Sequence, residues 1–137
     1  MDNDDSITLV RSDELTSAVP YAYAAVTPPG ARLVFTAGAC PLDDNGETVA
    51  PGDFAAQAEQ AMHNLQLALR AAGAELRDVV KTTVFVTTQR QEDLVTTWDV
   101  VRRHFGEHDA PSTLLGVAVL GYRDQLVEVE AVAVLGR

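Results

Sequence analysis

Two carboxylates stand in the run Leu126-Val127-Glu128-Val129-Glu130-Ala131-Val132-Ala133-Val134, a stretch otherwise so apolar and β-branched that it reads as a buried strand. Side chains alternate along a strand. Glu128 and Glu130 therefore share a face with Leu126, Val132 and Val134, while Val127, Val129, Ala131 and Ala133 take the other. An unpaired carboxylate buried among such neighbours is costly. These two either reach solvent, meet donors across an interface, or line a polar pocket where an acid does chemical work. Glu130 fits a solvated strand face as well as it fits a site.

Other chemistry-bearing residues are weaker candidates. Cys40 follows Gly38-Ala39 at a strand end and precedes Pro41, where backbone groups leave the ladder and can meet a ligand. It has no basic neighbour in sequence to make it a nucleophile, so a small buried thiol is the plainer reading. Tyr21 and Tyr23, two residues after and before one another around Ala22, are either rings at the edge of a core or phenols that hold a ligand or water. His104-Phe105-Gly106-Glu107-His108 has the His-x-x-Glu-His spacing of some zinc peptidases, whose metal needs both imidazoles on one unbroken helix turn. Gly106 interrupts that turn and no third ligand is evident, so no metal is expected. His63 lies in a helical pattern with no nucleophile at a telling spacing. Glycine loops for phosphate or dinucleotide binding are absent from the sequence.

These residues need a scaffold. The 137 residues, 47% hydrophobic, are expected to form one domain spanning residues 1–137. Twenty acidic against ten basic residues give a net charge of -10 without any basic cluster, which argues against nucleic acid and against an anionic membrane as partners. The single cysteine excludes an internal disulfide, the acidic start Met1-Asp2-Asn3-Asp4-Asp5 lacks a signal-peptide profile, and no run approaches membrane-spanning length. A cytoplasmic setting is the expectation.

Strands are expected at Ile7 to Val10, Tyr23 to Thr27 and Arg32 to Gly38, with Pro28-Pro29-Gly30 turning a hairpin between the last two. Asp53 is placed to cap a helix running to Ala72, whose stripe Phe54, Ala58, Met62, Leu65, Leu69 faces a core and which Gly73 ends. A buried strand at Val79 to Val86 leads to a second helix, Glu92 to Phe105, with Leu94, Trp98, Val101 and Phe105 turned inward. Strands from Thr113 to Leu120 and Gln125 to Val134 complete an α+β domain. Two helices cover one sheet face. The late strands are apolar on both faces, so self-association is expected.

Five segments in order, Pro20-Tyr21, Leu33-Val34-Phe35-Thr36-Ala37-Gly38 with Pro41-Leu42, Asp78 to Val86, Phe105-Gly106-Glu107-His108 and Val127-Glu128-Val129-Glu130-Ala131, resemble the RidA/YjgF family over residues 18 to 135. The resemblance implies a chorismate-mutase-like fold, a homotrimer with clefts between subunits, no cofactor, and hydrolysis of a reactive enamine or imine to a carbonyl compound plus ammonia. It also implies catalytic roles for Glu128 and Tyr21 and backbone groups at the cleft; the candidate substrate contacts in this chain are Gly38, Ala39, Cys40, Tyr23, Ser112 and Arg123. A held water and an acid suffice for such chemistry, since a protonated imine carbon is already electrophilic.

The departures are specific. Where the family writes Pro-Ala-Arg-Ser-Thr, this chain has Asp109-Ala110-Pro111-Ser112-Thr113, so the arginine that grips a substrate carboxylate is replaced at Pro111, or at Ser112 if the gap is shifted. Arg123, in the turn Gly121-Tyr122-Arg123-Asp124, is either a substitute cation or a solvated turn residue beside Asp124. The expectation is a hydrolase for imines without the usual carboxylate. The alternative is a non-catalytic trimer that binds a small molecule or a partner protein in the same cleft.

Overall fold

The computed structural model describes residues 6–136. The elements run β1 (Thr8–Val10), β2 (Ala24–Val26), β3 (Arg32–Phe35), α1 (Phe54–Ala71), a 3-10 turn (Leu76–Asp78), β4 (Val79–Thr87), α2 (Gln91–Phe105), β5 (Ser112–Val117) and β6 (Val127–Leu135). Four strands form a mixed sheet in the order β3-β6-β4-β5, in which only the β4-β5 pair is parallel. The parallel pair needs a crossover, which α2 supplies.

The first helix begins and ends for local reasons. The Asp53 side chain accepts a hydrogen bond from the Ala56 N–H at 3.0 Å, satisfying a donor the first turn leaves free. At the other end Gly73 adopts φ +91, a left-handed conformation open to glycine at little cost. The α1 stripe Ala58, Ala61, Met62, Leu65 and Leu69 is fully buried against the inner sheet face, built from Val84, Val86, Val127, Val129, Ala131 and Ala133. In α2 the expected inner face packs on the core, with Val101 buried and Leu94, Trp98 and Phe105 partly buried against it; Thr97 and Val100 are buried as well.

The hairpin expected across Pro28-Pro29-Gly30 is corrected by the pairing. β2 pairs with β1 in a separate two-stranded sheet, and β3 pairs with β6, so the turn carries the chain between sheets. The turn itself is present, with Gly30 at φ +72, but a local turn signal does not choose a strand's partner. Two strands also end early. β3 stops at Phe35 because a bulge follows: between Phe35 opposite Val132 and Ala39 opposite Val129, three residues face two. β5 stops at Val117, leaving Val119 76% exposed.

Gln57 holds the loop before β6 from inside the core. Fully buried, it donates to the carbonyls of Asp124 (2.9 Å) and Ala50 (3.3 Å) and accepts from the Leu126 N–H (2.7 Å). Gln57→Leu would strand all three backbone groups. We expect a stability loss of about 2–4 kcal/mol by urea denaturation, the range for several unsatisfied buried groups. A loss below about 1 kcal/mol would mean that water takes over those bonds.

Candidate functional site

β6 turns Val127, Val129, Ala131 and Ala133 toward the helices and Glu128, Glu130 and Val132 toward the open sheet face. Glu130 is exposed there. Glu128 is half-buried and has protein partners. The bulge after β3 brings Gly38 over its side chain, where a Cβ would sit 2.7 Å from the Glu128 Cγ and closer still to its carboxylate. Only glycine leaves that space. On one oxygen, Oε1, Glu128 accepts from the Cys40 thiol at 3.2 Å and from Gln125 Nε2 at 3.3 Å. Both protein donors therefore fall on Oε1, and Oε2 takes no hydrogen bond from a described residue.

The donors are themselves held. Gln125 is 4% exposed; its Nε2 also donates to the Val127 carbonyl at 3.1 Å, and its Oε1 accepts from the Tyr122 N–H at 3.0 Å. Asn64 on α1 donates to the carbonyls of Cys40 (2.8 Å) and Leu42 (2.9 Å), fixing the segment that presents the thiol. Gln60 steadies Asn64 by donating to its Oδ1 at 3.1 Å. Burial first, then the hydrogen bond to Glu128 and its negative charge, push the Cys40 thiol up to about 11, against a smaller opposing effect of Gln125. Cys40 is thus a hydrogen-bond donor at neutral pH and a poor nucleophile.

Of the residues expected to contact a ligand, Gly38 and Cys40 gather at Glu128. Ala39 spends its backbone N–H and carbonyl on Val129, so its groups stay in the ladder rather than leaving it. Arg123 is exposed on the loop that ends in Gln125. Tyr21 and Ser112 lie elsewhere, in a cleft of about 290 Å³ that they line with Trp98 and Leu114. Ser112 pairs with Thr82 and shares its hydroxyl at 2.7 Å, on the helix side of the sheet, whereas Glu128 pairs with Phe85 on the open side. Three residues along and two strands across separate the two groups, roughly 14 Å by strand geometry.

Tyr23 stacks edge-on to Tyr21 with centroids 6.1 Å apart and donates its hydroxyl to the Thr16 carbonyl at 2.7 Å, so it braces the loop behind Tyr21. The histidines go separate ways: His104 meets Glu59 at 2.7 Å, and His108 donates to the Val79 carbonyl at 2.7 Å. No group of three or more His, Cys, Asp or Glu that could hold a metal occurs among the described residues. Among these residues, too, no helix is long and apolar enough to cross a membrane.

Gln57, Asn64 and Gln125 were invisible as site-builders in the sequence. The available signal was positional for Gln57, a polar residue inside the Phe54, Ala58, Ala61 stripe. Such a residue needs buried partners.

The chain matches the family model described as Endoribonuclease L-PSP over residues 11–135. It is 32% identical to protein DfrA of Myxococcus xanthus, over 91% of this chain and 93% of that protein. It is 36% identical to the 2-iminobutanoate/2-iminopropanoate deaminase of Escherichia coli K12, over 75% of this chain and 80% of the deaminase. Among solved structures it resembles YyfB, a Rid-family protein of unknown function from Yersinia pestis, with a TM-score of 0.87 at 28% identity, covering 95% of this chain and 99% of that one.

The contact between Cys40 and Glu128 is open to direct measurement. Glu128→Gln removes the neighbouring charge but leaves the burial, so the thiol should move back toward its ordinary value without reaching it. At pH 8 the rate of iodoacetamide alkylation should then rise by roughly three- to tenfold over wild type. An unchanged rate would contradict the contact.

Proposed function

The chain belongs to the RidA/YjgF family, and from that premise we propose that it hydrolyses a reactive enamine or imine to a carbonyl compound and ammonia, with Glu128 as the group that handles the attacking water. The observation that carries the reading is the one-sided hold on Glu128: two donors on Oε1 and a glycine beneath the carboxylate leave Oε2 to a water. Water adds to the carbon of the protonated C=N bond while its proton passes to Oε2. The proton then returns to the nitrogen of the carbinolamine, the C–N bond breaks with loss of ammonia, and the remaining hydroxyl proton leaves to give the carbonyl. A fixed carboxylate lowers the barrier by orienting this water before attack.

The site is complete only in an assembly. Glu128 and the Tyr21 cleft lie on opposite sides of the sheet, and the open face around Glu128 exposes Phe35 (72%) and Leu33 (43%). In a homotrimer one chain's Glu128 meets the Tyr21 and Ser112 of its neighbour, the whole chain acting as a single domain. Substrates differ from the deaminase's iminoacids because Pro111 is buried and Ser112 carries a neutral hydroxyl where the family places its carboxylate-binding arginine. Arg123 stays outside as a turn cation. The endoribonuclease description of the family model fits this chain poorly, since a net charge of -10 repels a phosphodiester backbone. The same charge disfavours anionic membranes, and a cytoplasmic setting suits the single reduced thiol.

Ammonia release from imines generated in the assay tests the reading. Glu128→Gln should lower turnover by about a hundredfold with folding intact, as for loss of a general acid or base. Equal rates would move the water-handling role elsewhere, and no release from any imine would favour a trimer that only binds. Ser112→Arg should raise the preference for carboxylate-bearing over neutral imines by roughly ten- to a hundredfold, the worth of a charge-assisted pair. Light scattering should give three times the 14.7 kDa chain mass, and a monodisperse monomer would remove the shared site.

A further inference from the structure

The cleft lined by Tyr21, Trp98, Ser112 and Leu114 has a distinctive chemistry. Among the described residues, none that lines it carries a charge. It offers one indole, one phenol, one alcohol and one aliphatic side chain. Neither the Trp98 N–H nor the Tyr21 hydroxyl has a hydrogen-bond partner among the described residues, and both rings are partly exposed. A cation on the Tyr21 side is already committed. Arg11 pairs with Asp109 at 2.8 Å and donates to the Tyr21 backbone carbonyl at 2.9 Å. Trp98 also lines a second crevice, with Pro20, Arg102, Phe105 and Asp109, closed down to about 10 Å³.

We propose that this cleft takes a neutral, planar group of the substrate, of the amide, ester or aryl-carbonyl class, and that Trp98 is the residue that sets this specificity. The proposal rests on the reading that the cleft belongs to the substrate site, and it names what that site accepts. A planar group stacks on the indole, and its carbonyl oxygen accepts from the free N–H and O–H donors. A carboxylate entering the same space would lose its water without gaining a counter-charge, which costs far more than a neutral group pays. At about 290 Å³ the cleft lies near the lower end of small-molecule sites, enough for one ring and its substituent.

Trp98 is the chain's single tryptophan, so its fluorescence reports on the cleft without any turnover. Benzamide and benzoate are nearly isosteric probes that differ in charge at pH 7. Titration of the intact protein with benzamide should change Trp98 emission saturably, and benzoate should bind at least about tenfold more weakly, the penalty for an uncompensated charge. By calorimetry, Trp98→Phe, which keeps an aromatic filler, should weaken benzamide severalfold, and Ser112→Arg should reverse the preference toward benzoate. Benzoate binding as tightly as benzamide would overturn the proposal, and if Arg102→Gln then abolished that binding, Arg102 would be the specificity residue. Absence of any saturable change with benzamide would overturn it equally. Imine hydrolysis is scored apart from these titrations: hydrolysis without benzamide binding defeats only the cleft assignment, and binding without hydrolysis defeats only the catalytic one.

Discussion

Glu128 is a carboxylate on a strand whose neighbours on the other face are wholly buried, and the surrounding structure is arranged to keep it half out of water. Three adjustments make this possible. Gly38 gives up its Cβ, Cys40 gives a thiol proton, and Gln125 gives an amide proton. Each would be a poor choice for packing alone. Together they replace the hydration the carboxylate loses on Oε1, while Oε2, beside Gly38, takes no hydrogen bond from a described residue.

That arrangement reaches well beyond the strand. Cys40 is in place because Asn64 ties the segment after the bulge to α1, and Gln125 is in place because Gln57 holds the loop before β6. Two side chains from α1 therefore fix, from the helix side of the sheet, the groups that contact a carboxylate on the opposite side. The exposed apolar residues Phe35 and Leu33 stand on the face that an assembly would cover. Stability and site geometry are thus set by the same few polar residues in an apolar layer.

Much of the fold was legible. β-Branched runs mark β4 and β6, Asp53 and Gly73 bracket α1, and the alternation of β6 puts Glu128 and Glu130 on one face. The partner of β2 was not legible, because Pro28-Pro29-Gly30 states that the chain turns and not where the next strand goes. Nor could the sequence reveal that Tyr21 and Ser112 lie on the helix side, away from Glu128. That depends on the parallel register Thr82 to Ser112, a non-local fact carried by no motif. Thr97 was not legible as a core residue either: it satisfies its hydroxyl on the Asp93 carbonyl at 2.9 Å and is buried together with Val100 and Val101.

The central claim is that one chain's Glu128 works against the Tyr21 cleft of its neighbour. Subunit mixing tests it most directly. Glu128→Gln chains and Tyr21→Ala chains, each nearly inactive alone, are unfolded together, refolded, and assayed for ammonia release. Random assembly should restore up to about a quarter of wild-type activity, because that share of interfaces pairs an intact carboxylate with an intact cleft. A mixture no more active than the mean of the two variants would contradict the shared site.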